Sequence, residues 1–205
     1  MTGVEFQFEE ASHIYRDHEG KAHPSVTQVL TQAGIFDYSA VSAEVLENAR
    51  RRGVNVHKCA AEYDLTGDLD PTWLQDDEVP YFEAWVKFRR EFHCKMVDIE
   101  KAMLAPVHGI LLGGTPDRVA FVGRKRYVID IKCTAAKHDG WRLQTAFYEM
   151  MLTGVDSCGH MGRLVVQLLP TGKYSVIAHD DASDADIAIA ALLLTTWKQN
   201  HCLEK

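Results

Sequence analysis

At 205 residues the chain is long enough for one domain with a substantial core. Hydrophobic residues make up 46% and charged residues 25%, and the formal net charge of −7 excludes a protein that holds nucleic acid through bulk positive charge. Five cysteines without a C-x-x-C pair exclude a disulfide framework, no apolar run is long enough to span a membrane, and no secretory segment is read, so the expectation is a reduced, cytoplasmic protein.

Taken in order, residues 4 to 23 carry two short strand patterns, VEFQF and HIYRD, the second closing through Asp17-His18-Glu19-Gly20. Ser25 stands as N-cap of a helix whose apolar positions are Val26, Val29, Leu30 and Ala33, with Gly34 as its stop. Ser25 and Thr27 also place hydroxyls at a helix start, where a phosphate can be held. Ala43 to about Leu65 is a long helix interrupted at Gly53, and residues 64 to 79 form a polar loop. Val79 to Phe92 places Tyr81, Phe82, Trp85 and Phe88 at helical spacing, a core stripe. Lys95 to Pro106 reads as the first central strand and Ile110 to Phe121 as the second, with Gly113-Gly114 letting backbone approach a substrate. Arg50-Arg51-Arg52, the group Lys87, Arg89 and Arg90, and Arg124-Lys125-Arg126 are local basic clusters, each equally a solvated face.

The most informative stretch runs from Gly113 to Tyr148. Tyr127-Val-Ile-Asp-Ile-Lys132 is aromatic and β-branched, so it reads as a buried strand. Alternation puts Asp130 and Lys132 on one side of it. Opposite charges on one side of an apolar strand are costly to bury without a partner. A divalent cation with a phosphate substrate satisfies both. Mg²⁺ takes oxygen ligands and needs only one or two carboxylates, here Asp117 and Asp130. Lys132 would then stand beside the metal, able to orient or help deprotonate a water and to stabilise charge on the phosphate. Trp141 to Thr153 follows as a helix with Gln144 and Tyr148 on one face. Gly162 to Pro170 and Lys173 to Ala178 form a hairpin, and a last helix, Ala185 to Gln199, buries Ile187, Ile189, Ala190, Leu193 and Leu194.

G-T-P-D ending at Asp117, D-I-K at Asp130 to Lys132, thirteen residues on, and Q-x-x-x-Y at Gln144 to Tyr148 together resemble the PD-(D/E)xK nuclease superfamily, within it the RecB-like exonuclease branch. Arg52-Gly53 followed by His57 is similar to that branch's R-G-x-x-x-H signature, and the resemblance extends from about Pro24 to Leu169. It implies a restriction-endonuclease-like α/β core, a central mixed β-sheet flanked by helices with helical N-terminal additions. One domain is expected: N-terminal strands and helices over 1–93, the catalytic sheet and helix over 94–178, and a C-terminal helix over 179–205. The implied catalytic residues are Glu100 (with Asp98 as its rival), Asp117, Asp130, Lys132, Gln144 and Tyr148. The implied metal ligands are His57, Asp117, Asp130 and Ile131, for Mg²⁺ or Mn²⁺; the clustered cysteines of an iron–sulfur cluster are missing. Ser25, Thr27, Arg51, Arg52 and Arg142 are the implied DNA contacts, the basic side chains expected to surround the metal as a passage for a linear end. Linear DNA, possibly entered at a single-stranded end, is the implied partner, with a single-strand annealing or binding protein beside it. A structure-specific endonuclease or a non-catalytic DNA-binding module of the same fold are the alternatives.

Overall fold

The computed structural model describes residues 5–10, 12–68 and 71–201; Cys202 lies outside them. The chain opens with a small antiparallel sheet of β1 (Phe6–Glu9), β2 (Ile14–Asp17) and β3 (Ala22–His23), the last unanticipated by its pattern. Helix α1 (Val26–Gln32) starts as expected: the Ser25 hydroxyl accepts from the Gln28 amide while the Gln28 side chain accepts from the Ser25 amide. Helix α2 (Ala43–Thr66) runs unbroken through Gly53 rather than being interrupted there. A single 3₁₀ turn (Pro71–Trp73) leads into α3 (Val79–Phe92), whose Tyr81, Phe82, Trp85 and Phe88 are all buried.

The main sheet is mixed and five-stranded. Its order is β10 (Tyr174–Ala178), β9 (Gly162–Leu168), β8 (Lys125–Cys133), β7 (Arg118–Val122) and β4 (Lys95–Ile99), with β8 and β9 parallel and the other pairs antiparallel. The crossover between β8 and β9 is α4 (Gly140–Thr153), and α5 (Asp184–Asn200) closes the chain. Helices cover both faces. Residues of α1, α4 and α5 pack with Val119, Val128 and Val165, whereas residues of α2 and α3 pack with Ala120, Ile129, Ile131 and Val166. Strand alternation divides β8 between these cores, and it sends Asp130 and Lys132 toward α4.

Two expected strands are each broken. The run 95–106 divides at Glu100, whose φ of 44° takes the backbone out of the sheet. The run 110–121 divides at Thr115-Pro116, where proline supplies no ladder donor. The pieces between form a separate hairpin, β5 (Met103–Val107) and β6 (Ile110–Gly114), lying against α4. Gly113 and Gly114 face side chains rather than open space: a Cβ on Gly113 would stand 2.2 Å from the Tyr15 ring, and one on Gly114 3.0 Å from Tyr148.

The last helix also differs from its pattern. It buries Ala185, Ala188, Ala191, Leu192 and Thr195, leaving Ile187, Leu193 and Leu194 exposed and Ala190 at the surface. Small alanines let α5 approach α1 and α4 closely, so the buried face is not the one richest in large apolar residues.

Candidate active site

The site forms where β7 and β8 part. Their ladder ends at the pair Arg118↔Ile129. Beyond it, backbone groups of β8 on that edge need other partners. The Ile131 amide donates to Asp117 Oδ2 at 2.6 Å, and the Ile131 carbonyl stands 3.1 Å from His57 Nε2. His57 reaches in from α2, and its Nδ1 lies 3.3 Å from Asp117 Oδ1. One imidazole thus bridges the carboxylate and the carbonyl that the sequence singles out. Asp130 follows on β8, with only 2% of its surface exposed. Lys132 Nζ lies 2.8 Å from Asp130 Oδ2 in an ion pair not aligned as a hydrogen bond, so that buried oxygen makes none. Lys132 donates instead to Gln144 Oε1 at 3.0 Å, and Gln144 Nε2 donates to the Tyr148 hydroxyl at 3.2 Å. The buried glutamine on α4 is therefore explained as the link between a cation and a phenol.

Electrostatics separate the two carboxylates. Burial pushes both upward, but His57, Lys132 and the Ile131 amide outweigh it at Asp117 and hold it at about 2. At Asp130 burial, assisted by the Asp117 charge, outweighs Lys132, and the carboxyl rises to about 6. Burial disfavours the charged forms of His57 and Lys132, yet the adjacent carboxylates prevail and raise both. Tyr148 is driven well above its usual value by burial and by the Asp130 charge. Two carboxylates thus stand against two cations, and a divalent ion bound there would replace the proton on His57 and favour the ionised form of Asp130.

The donor set suits a hard divalent cation: two carboxylates, the Ile131 carbonyl and one imidazole, with the Asp130 oxygen lacking a hydrogen bond. Among the described residues no three His, Cys, Asp or Glu side chains stand as a ready-made cage. Both His57 nitrogens already have partners, so the imidazole would have to exchange one to become a ligand.

The other expected residues divide into two groups. Glu100, rather than Asp98, adjoins the site: its Oε1 lies 3.4 Å from Arg118 Nη1 and its amide donates to the Asp117 carbonyl, while Asp98 pairs with the exposed Lys101. Arg52 also adjoins it, donating to the Cys133 carbonyl with its guanidinium over the Tyr81 ring. Ser25 is engaged in capping α1, and Thr27 is exposed on the same helix. Arg51 is turned to Glu78, Asp77 and Gln75, and Arg142 to Asp181 and Asp184. Arg89 binds the buried Asp64. The expected basic passage is thus not assembled from Arg51 and Arg89, because buried carboxylates claim both guanidinium groups.

Arg118 escaped the sequence reading. It is fully buried, donates to Asp64 Oδ2 and to the Asp117 carbonyl at 2.6 Å each, and lies over Trp85. It ties Asp117 to α2 and α3. A charged residue directly after the proline–aspartate turn, opening a strand of buried residues, is the signal that pointed to it.

The chain matches no family model and no curated protein. Among solved structures it is similar to the protein SSO0001, with TM-score 0.40 and 12% identity over 70% of this chain and 73% of that one. It is also similar to LHK-Exo, solved in complex with dAMP, with TM-score 0.32 and 16% identity over 88% of this chain and 93% of that one. Both likenesses are too distant to carry a function across. No helix among the described residues is long and apolar enough to cross a membrane.

Proposed function

We propose that this chain is a divalent-metal-dependent nuclease that hydrolyses phosphodiester bonds in DNA. The observation that carries the reading is the meeting, at one end of the sheet, of His57 from α2, Asp117 before β7, Asp130 and Lys132 on β8, and Gln144 and Tyr148 on α4.

Asp117, Asp130, the Ile131 carbonyl and His57 are the groups that would hold Mg²⁺ or Mn²⁺. Bound there, such an ion supplies Lewis acidity toward a phosphoryl oxygen and makes its water more acidic. Lys132, kept protonated by the two carboxylates, acts as a donor to charge developing on the phosphate rather than as a proton acceptor. Its hydrogen bond to Gln144 fixes the direction of the ammonium, and Tyr148 fixes Gln144 in turn. Arg118 holds the Asp117 backbone from behind. Glu100, raised by burial, feels the charges of His57 and Asp117 and is held beside the site by Arg118.

Cleavage from an end, the exonuclease mode, and a single-strand annealing or binding protein as partner are what the resemblance to the RecB-like exonuclease branch implies. The test is incubation of end-labelled linear DNA, its covalently closed supercoiled form and single-stranded circles with Mg²⁺, with Mn²⁺ and with chelator. Metal-dependent loss of the linear form with circles intact is the expected result. Rapid nicking of circles replaces the exonuclease mode with an endonuclease, and no cleavage of any form refutes the nuclease reading.

A further inference from the structure

Helix α2 reaches the candidate site with His57, and further along it makes a second charged contact that the site's motifs do not include. Asp64 stands in the last turn of α2, inside the helix rather than in the polar loop expected from 64 onward, and its side chain is fully buried. It accepts from Arg118 Nε at 2.6 Å and from Arg89 Nε at 2.5 Å. Arg118, also fully buried, donates onward to the Asp117 carbonyl at 2.6 Å. His57 and Asp64 stand seven positions apart in the chain, which puts both on one face of the helix, about 10 Å apart along its axis. One helix therefore holds Asp117 twice. His57 takes the carboxylate, with Nδ1 3.3 Å from Oδ1, and Asp64 takes the backbone through Arg118.

The apolar footing of α2 on the sheet is thin. Its buried residues on that side are the small Val56 and Ala60, with Tyr63 partly covered. Such side chains gain from contact at many positions along a helix axis, whereas a short charge-assisted hydrogen bond is met at one. Arg118 suits the task because its planar fork donates to Asp64 through Nε and to the Asp117 carbonyl through Nη1, two directions that a lysine ammonium on a flexible stem does not fix. Resting on the nuclease reading, we propose that Asp64 is a positioning residue: through Arg118 it fixes α2 in register with the start of β7, and so keeps His57 aimed at the cation that Asp117 and Asp130 would hold. Arg89 is a brace on the far side of Asp64. It donates to the other carboxylate oxygen and to the Cys94 carbonyl, and neither contact leads to Asp117.

The experiment titrates Mn²⁺ by calorimetry into the full chain stripped with chelator, and follows urea unfolding of each variant beside it. Asp64→Asn, nearly the same shape without the charge, should weaken Mn²⁺ binding roughly 10- to 100-fold, the effect of losing a group that orients a metal ligand. Arg89→Met should lower the urea midpoint yet leave Mn²⁺ affinity unchanged, since Asp64 keeps Arg118. In a His57→Ala background, itself a weaker binder, Asp64→Asn should cause no comparable further loss, a coupling that a purely structural ion pair would not produce. Where Asp64→Asn does not fold, Asp64→Glu enters the same cycle, because it keeps the charge and changes the length of the tie. If a folded Asp64 variant binds Mn²⁺ as wild type does, or loses as much affinity without His57 as with it, the positioning inference falls, while Mn²⁺ binding and metal-dependent cleavage by wild-type protein leave the nuclease reading standing. If wild-type protein neither binds Mn²⁺ nor cuts any DNA, both fall.

Discussion

Asp117 and Asp130 meet at the end of the β7–β8 ladder in opposite electrostatic states, which gives a stability test that needs no substrate. The folded value of about 2 at Asp117 lies below its ordinary 3.8. At about 1.4 kcal/mol per tenfold change in proton affinity, its carboxylate contributes about 2 kcal/mol of stability above pH 4, lost as pH falls through 2. Asp130 has the opposite sign, about 6 against 3.8. Between those values the folded state binds more protons than the unfolded one, so stability declines as pH rises through the window. Above it the ionised Asp130 costs about 3 kcal/mol, and at pH 4.5 about 1 kcal/mol. In metal-stripped protein, Asp117→Asn is therefore expected to destabilise by about 2 kcal/mol at both pH 7.5 and pH 4.5. Asp130→Asn should stabilise by about 3 kcal/mol at pH 7.5, shrinking to about 1 at pH 4.5. Urea unfolding followed by tryptophan fluorescence measures both, provided the slope against urea is unchanged. Both substitutions shifting stability in the same direction at pH 7.5 would refute the assignment of opposite states.

Lys132→Ala should lower single-turnover cleavage by about 100-fold or more while metal affinity persists, and Lys132→Arg should not restore it, because a planar guanidinium cannot occupy the place of the ammonium. Glu149→Ala should cost about 3–5 kcal/mol in urea unfolding. Its buried carboxylate accepts the amides of Gly159, His160 and Met161 and pairs with Arg163, which would be left without that charge. On α5, Leu192→Ala should cost about 2–5 kcal/mol and Leu193→Ala less than about 0.5, since the first is buried and the second lies at the surface.

The helices were legible because their signals are local. Ser25 caps α1, the aromatic spacing of α3 has one period, and Gly34 takes the left-handed conformation that ends a helix. The two-faced division of β8 followed from alternation, and with it the shared direction of Asp130 and Lys132. The strand breaks were less visible because apolar runs continue across them. Only Pro116 marks the second, and Glu100 gives no sequence sign of its positive φ. The buried face of α5 was illegible because leucine, isoleucine and alanine occur all round the helix, and its neighbours decide which side is covered. The fates of Arg51 and Arg89 were hidden for a related reason. A basic run shows where charge is, but Glu78 and Asp64, which take up those guanidinium groups, are distant in sequence.

The central claim is that Asp117 and Asp130 hold a divalent cation, and calorimetric titration of Mn²⁺ into chelator-stripped protein tests it most directly. Wild-type protein is expected to bind Mn²⁺, releasing protons as Asp130 ionises and His57 gives up its own, with binding lost or sharply weakened in Asp117→Asn and Asp130→Asn and retained in Lys132→Ala. Absence of Mn²⁺ binding by folded wild-type protein, or equal binding by the two aspartate variants, would contradict the account.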